Sequence, residues 1–379
     1  MQKWTIWLTS LALACSGSNK PAEPTSSPPE MPDSGADDTD DTDDTGDRPT
    51  GPMWPGADWV VADPAEHRLD PAALEELASW AFNDAFNTQA LVVIKDGYLV
   101  GEWYADGSDA SSLVTTWSMA KSVTSALIGI GAREGVLSLD DTVGQHIAEW
   151  SDGPNAEINL RHMLTMQSGL PENTTNPNGI YLVEPDQLAY ALDREPIRTP
   201  GETFSYVNED SMVLGGVLAN AFGQSTVDLA QQELFEPIGA TAEWWVDGSG
   251  NALTYCCLDS TARDLARFGL LYARGGEWDG TQIVPADFVA DSVVGHSARG
   301  GYGLHWWIET EFDAFSAVGI YSQYLWIKPD ADLVVVRFGK YTRVGSEAVR
   351  TGWNYHDTES DGGFNPRVFG RLIMNALAE

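Results

Sequence analysis

Apolar residues recur at helical spacing over 71–85, where Leu74, Leu77, Trp80 and Ala81 share one face. Asp70 supplies a cap and Pro71 fills the first helical position, so this stretch predicts an N-terminal helix. The runs Ala90-Leu91-Val92-Val93-Ile94 and Tyr98-Leu99-Val100 flank Lys95-Asp96-Gly97. Two apolar runs around an Asp-Gly turn predict an antiparallel hairpin. Residues 118–134 are apolar nearly all round, with Val123, Leu127 and Ile130 on one face, Gly129 and Gly131 allowing close packing, and Gly135 as the stop. Such a helix belongs in a core. Between about 140 and 290 the pattern is helical and irregular, clearest over 159–166, 211–221 and 261–274. Strand-like runs return at 303–308, 324–327 and 333–337 before a last helix over 365–378. The expected fold class is therefore α+β: an antiparallel sheet built from both chain ends, with a mostly helical region inserted between them.

Composition changes the picture at the N-terminus. Met1-Gln2-Lys3 and the apolar stretch 4–14 have the charge, length and small-residue exit of an export signal. Cys15 follows directly, in Leu11-Ala12-Leu13-Ala14-Cys15, a string similar to a bacterial lipobox with Ala12 where Leu is preferred. Residues 16–53 are rich in Ser, Pro, Thr and Asp and bury no apolar area, so they are expected to form a solvated tether. The Asp/Thr run at 37–45 lacks the alternating ligands, central Gly and terminal Glu of a calcium loop. The domains expected are thus a signal with lipid-anchor Cys15 over 1–15, a tether over 16–53, and a folded domain over 54–379. The product would be exported and held on a bacterial membrane through its lipid, or secreted.

The chain of 379 residues has 21 basic against 56 acidic side chains, a net charge of −35. The segment 16–50 holds two basic and ten acidic residues and Lys3 is the one charge ahead of it, which leaves −28 on residues 51–379. That excludes nucleic acid as a partner, because phosphate is held by clustered Lys and Arg. No run of 18 apolar residues supports a spanning helix. Cys256 and Cys257 are adjacent. They form either a vicinal disulfide or two small buried residues, and the second is the expectation; zinc and iron–sulfur spacing are absent.

Chemistry is suggested by Trp117-Ser118-Met119-Ala120-Lys121. Ser118 and Lys121 stand three apart at a helix start and project from one face. A serine hydroxyl needs a neighbouring base, and a lysine becomes one when burial lowers its pKa. The chain has only six Lys, and this one lies in an otherwise apolar helix. In Phe204-Ser205-Tyr206-Val207-Asn208, period two places Tyr206 and Asn208 on one side, so a phenol and a carboxamide can face one cleft.

Together these motifs resemble the serine β-lactamase-related hydrolases: class C β-lactamases, D-alanyl-D-alanine carboxypeptidases, family VIII esterases and 6-aminohexanoate-dimer hydrolases. The strings 160–170, 261–269 and 301–307 carry the same resemblance, which runs from about 75 to 378. Met163 to Leu170 and the tandem Trp306-Trp307 are most similar to the 6-aminohexanoate-dimer hydrolase branch. The resemblance implies a β-lactamase/transpeptidase-like fold, no cofactor, and a small ester, amide or short peptide as substrate. It implies attack by Ser118 with Lys121 as base, proton transfer to the leaving group by Tyr206, and an Asn208 hydrogen bond to Lys121 or the substrate. It places the family's third motif, Lys-Thr-Gly or His-x-Gly, at 319–324. There Ile320 replaces the cation and Ser322 the glycine, with Gln323 as the expected backbone donor to the oxyanion. Loss of the cation speaks against a substrate carboxylate of the β-lactam kind. The departed motif also keeps open a catalytically impaired surface binding or sensing module of the same fold, and a peptidoglycan D,D-peptidase or β-lactamase.

A Ser-His-Asp hydrolase is the chemical rival. Gly295-His296-Ser297-Ala298-Arg299 fails the nucleophile-elbow pattern at its last position. His162 is expected to be structural, and His67, His146, His305 and His356 have no metal spacing. The 15 Trp, including Trp306 and Trp307, suggest an aromatic-walled cleft.

Overall fold

In the first helix, α1 (Pro71–Ala81), the Asp70 side chain accepts the Ala72 N–H at 2.9 Å. The helix stops at Ala81, short of the expected 85, because Phe82 leaves the helical conformation and Asn83 captures the Ala85 N–H at 3.0 Å. Strands β1 (Thr88–Lys95) and β2 (Tyr98–Tyr104) form the expected hairpin. Asp96 and Gly97 both have positive φ, 54° and 83°, the two-residue turn that an Asp-Gly pair favours. The computed structural model describes residues 52–172, 184–297, 300–340 and 363–378. The expected signal, Cys15 and nearly all of the tether lie outside the described residues.

After the short β3 (Val114–Thr115) come α2 (Ala120–Arg133), α3 (Leu160–Leu164), α4 (Gln187–Leu192), α5 (Asn208–Phe222) and α6 (Thr226–Ala230). Then follow β4 (Ala242–Trp244), β5 (Leu258–Ser260), α7 (Ala262–Ala273), β6 (Glu277–Trp278), β7 (Thr281–Gln282) and α8 (Ala286–Ser292). The chain closes with β8 (Trp307–Glu309), β9 (Ala314–Gly319), β10 (Gln323–Lys328), β11 (Leu333–Gly339) and α9 (Pro366–Ala376).

The main sheet has the order β2-β1-β11-β10-β9-β8 and is antiparallel, so both chain ends do meet on it. Alternation along each strand assigns side chains to two cores. Leu91, Val93, Trp326 and Val335 pack with α1 and α9, while Val92, Ile94, Leu325 and Val336 pack with α2, α5 and α7. The helical region carries a small sheet, β3-β5-β4, that hydrophobic periodicity did not predict. Its strands are two or three residues long, too short for alternation to show. The strand expected over 303–308 begins only at Trp307, since residue His305 turns the chain with φ 61°. Strand β9, unpredicted, reads Ala-Phe-Ser-Ala-Val-Gly and is nearly all buried, which hid its period.

The segment before the sheet is strapped to α7. Arg274 donates to the Met53 carbonyl at 2.7 Å and lies 4.3 Å from the Trp54 ring centre. Arg267 donates to the carbonyls of Gly56 at 2.7 Å and Ala57 at 3.1 Å.

Cys256 and Cys257 are joined by a disulfide and both are buried. The expectation of two small buried residues holds for their burial and fails for their linkage, since the vicinal disulfide is the form present. Cys257 adopts φ 65°, a left-handed turn.

Candidate active site

Ser118 lies on a single turn of 3-10 helix, Trp117–Met119, between β3 and α2. Trp117 precedes it at φ 52°, unusual for a bulky residue, and its ring packs edge-on to Tyr321 at 5.9 Å. This elbow delivers the hydroxyl to the mouth of α2.

Lys121 occupies the first turn of α2, 1% exposed. Its Nζ lies 3.2 Å from Ser118 Oγ, 2.8 Å from Asn208 Oδ1 and 2.7 Å from the Tyr255 carbonyl oxygen. A neutral amine has two hydrogens and one lone pair. The two acceptors, which cannot donate back, take the hydrogens and leave the lone pair for Ser118. Burial pushes the Lys121 pKa down to about 7, against the opposing pull of Glu209 and Asp210. Those acids follow Asn208 on α5 and are themselves buried, which raises both, Asp210 strongly. The neutral acid is thus favoured behind the amine.

Tyr206 and Asn208 flank the start of α5, whose cap is Val207. The Tyr206 ring centre is 5.0 Å from Lys121 Nζ, and its hydroxyl interacts with the Ser118 side chain. Burial pushes the phenol up to about 12, so it stays protonated at neutral pH. The ring stacks on Trp307 at 5.9 Å, and Tyr302 meets both edge-on at 6.1 and 4.8 Å. The tandem Trp pair therefore divides. Trp307 lines the cleft, while Trp306 is fully buried against Phe268 and Tyr272.

The sheet side departs from expectation. Strand β8 covers Ala314 to Ser316 only, leaving the end of β9 open beside the Ser118 turn. A Cβ on Gly319 would lie 2.4 Å from the Thr116 carbonyl oxygen and 3.0 Å from Trp117 Cβ. Beside the nucleophile's turn it is therefore Gly319, just ahead of Ile320-Tyr321-Ser322, that has no room for a side chain. Tyr321 and Ser322 form a left-handed turn at φ 64° and 56°, and their carbonyls accept from Arg337 at 3.1 and 2.7 Å. Gln323 opens β10 opposite Gly319, and its buried side chain clamps Gly339 through two 2.9 Å bonds. Ser322 and Gln323 thus shape the turn, and Gly319 is the residue packed against the nucleophile's elbow.

Sequence reasoning missed the Tyr255 carbonyl, since a backbone acceptor leaves no residue-type signal. It also missed the two buried acids, which read as the ordinary acidic first turn of a helix. His356 lies outside the described residues, and three of the other histidines are held away from Ser118. His305 is buried, bonds Ser211 at 2.9 Å and is pushed down to about 3 by burial; His296 pairs with Asp291 at 3.0 Å; His162 closes the cap at Asn159. Among the described residues no cluster of His, Cys, Asp and Glu suits a metal ion. An open cavity of about 780 Å³ between α2 and α8, lined by Arg133, Arg161 and Asp291, contains none of the residues around Ser118.

Comparison with known proteins agrees with this architecture. The chain is 24% identical over 289 residues to the 6-aminohexanoate-dimer hydrolase of Paenarthrobacter ureafaciens, covering 67% of this chain and 73% of that one. Its fold superposes with TM-score 0.67 on a Bacillus anthracis protein described as a 6-aminohexanoate-dimer hydrolase, at 26% identity, covering 79% and 80%. A family VIII carboxylesterase shares the fold at TM-score 0.62 and 15% identity, covering 84% and 98%. The Beta-lactamase family profile matches residues 81–359, and the chain belongs to that family of serine hydrolases.

Proposed function

We propose that the protein hydrolyses an ester or amide bond through an acyl-enzyme on Ser118. The observation that carries this is the environment of Lys121: a buried amine, depressed to about 7, whose hydrogens are held by Asn208 and Tyr255 and whose lone pair faces Ser118 at 3.2 Å. Lys121 takes the hydroxyl proton as Oγ attacks the carbonyl carbon. The oxyanion is bound by the N–H of Ser118 and by the backbone N–H that follows Gly319, that of Ile320, which replaces Gln323 in this role. Tyr206, beside Ser118, gives its phenol proton to the leaving oxygen or nitrogen as the C–O or C–N bond breaks, and takes up in its place the proton that Lys121 accepted. Water then attacks the acyl-enzyme, its proton returning through the same groups, and Ser118 is released.

The substrate favoured is uncharged at the cleft. The segment 317–323, Ala-Val-Gly-Ile-Tyr-Ser-Gln, offers no cation to a substrate carboxylate, and Trp307, Phe204 and Tyr302 line the Tyr206 side. Export and lipidation at Cys15 belong to the same proposal, on the strength of the leader string. Fatty-acid labelling that is lost in Cys15→Ser supports it, and labelling that persists overturns it.

The test of the reaction is intact mass after brief exposure to an acylating nitrophenyl ester. A single adduct on the wild type, absent from Ser118→Ala, is the expected result. No adduct with ester, amide or β-lactam probes would leave a binding or sensing module as the better account.

A further inference from the structure

The disulfide Cys256–Cys257 lies one peptide bond from the carbonyl that holds Lys121. The segment 252–257 is buried throughout, an unusual place for a loop, since every buried backbone group there needs a partner. The partners are in place. Thr254 O accepts from Thr124 of α2 at 2.9 Å, and the Thr254 hydroxyl donates to Ser211 O of α5 at 2.6 Å. The Tyr255–Cys256 peptide is held at both ends: its N–H donates to Leu253 O at 3.0 Å, and its carbonyl accepts from Lys121 at 2.7 Å. Beyond it, Cys256 O accepts from Trp244 Nε1 at 3.0 Å, and Cys257 O accepts from the Trp245 N–H at 3.0 Å.

We propose that the eight-membered ring closed by the Cys256–Cys257 bond is a positioning device for the base, fixing the Tyr255 carbonyl so that the Lys121 lone pair stays on Ser118. This rests on the acyl-enzyme proposed above. The ring ties Cys256 Cα to Cys257 Cα through both the peptide and the sulfurs, so the Cys256 Cα–C and Cys257 N–Cα bonds cannot turn freely, and the Cys256 N–Cα bond is the single pivot left between the ring and the Tyr255 carbonyl. Cys257 at φ 65° is in a conformation that an L-residue leaves readily when unconstrained. The groups facing Lys121 are Glu209 and Asp210 from α5, Tyr206 before it, Tyr255 from this loop and the neutral His305. Of its three close polar contacts, the Tyr255 carbonyl is the one given by the backbone. Losing it removes an acceptor that favours the ammonium, so the amine's protonation midpoint moves down, and the neutral amine loses its aim, so the rate falls.

The experiment compares acylation by the nitrophenyl ester, as a function of pH, for wild type and the Cys256→Ser/Cys257→Ser variant, with melting temperature recorded for both. The wild type should be two hydrogens lighter than its dithiol mass and should resist iodoacetamide when denatured without reductant. In the variant the plateau rate should fall by about tenfold or more, the scale of a small misplacement of a reacting group, and the acid limb should shift to lower pH. A second measurement uses wild type treated with a water-soluble trialkylphosphine, which takes up the oxygen of water as the disulfide becomes two thiols; protein shown by mass to be reduced should match the variant. An unchanged rate and midpoint in the folded variant, with the wild type still forming its Ser118 adduct, overturns the ring's role alone. A lower plateau with an unmoved midpoint overturns it too, because that marks general loosening. Absence of an adduct on the wild type would instead sink the acyl-enzyme.

Discussion

The two walls of the Ser118 cleft are built on opposite terms. On the helical wall, α2, α5 and the loop at 252–257 give every hydrogen of Lys121 an addressed acceptor, and the chemistry sits in the identities of four side chains and one carbonyl. On the sheet wall, the end of β9 and the turn after it act through backbone shape: a glycine that cannot grow, then two non-glycine residues in left-handed conformations, their carbonyls gathered by Arg337. A wall whose side chains move protons tolerates no change of residue type. A wall that offers main-chain groups tolerates almost any residue that keeps its path, so 317–323 can read Ala-Val-Gly-Ile-Tyr-Ser-Gln opposite a wall that keeps Ser118, Lys121, Tyr206 and Asn208.

Breaking the helical wall should have the largest effect. Lys121→Ala or Ser118→Ala should lower ester turnover by about 10³-fold or more, the upper range for loss of a nucleophile's activation, measured by steady-state kinetics on protein whose melting curve is intact. On the sheet wall, Gly319→Val should cost about 10²-fold through displacement of an oxyanion donor, since its Cβ lands 2.4 Å from the Thr116 oxygen; full activity would mean β9 takes no part. Tyr206→Phe should cost about 10²-fold, the lower range for a general acid, more with an alkyl ester than with a nitrophenyl ester, whose leaving group needs no proton.

The pH profile separates the walls without mutation. Lys121 must be neutral to act and its pKa is depressed to about 7, so acylation should rise with pH through about 7 and level off above it. Tyr206, raised to about 12, should impose no alkaline limb in the neutral range. A midpoint near the usual lysine value would remove Lys121 as base. The smallest effect belongs to Ser322→Gly. Relief of the left-handed conformation at φ 56° should stabilise the fold by about 0.5 kcal/mol or less after glycine's own entropy cost, read by thermal melting, with turnover little changed.

What the sequence made legible follows the same division. Ser118, Lys121, Tyr206 and Asn208 were found because their types and spacings carry chemistry, and the structure brings all four together. The sheet wall was less legible: the position with no room for a Cβ against the Ser118 turn is Gly319, and β9 is so nearly buried throughout that its pattern gives no register. The pairing of Ala317 with Leu325 and of Gly319 with Gln323 supplies the register that the pattern could not. Tyr255 could not be found at all, as any residue but the wrong backbone path would present the same oxygen.

The strap over residues 53–57 decides where a mechanical load enters the molecule. A pull on the chain ahead of Met53 is received by Arg274 and Arg267 of α7 and spread from there into β10 and β11, which lie beneath that helix. The hairpin of β1 and β2 shares that load, because Val60 and Ala62 hydrogen-bond Leu99 of β2 and Arg263 of α7 bonds Glu102 of the same strand at 2.6 Å. If the chain ahead of the strap is moored at a surface, tugging on the mooring is divided between the helix and the hairpin instead of falling on one element.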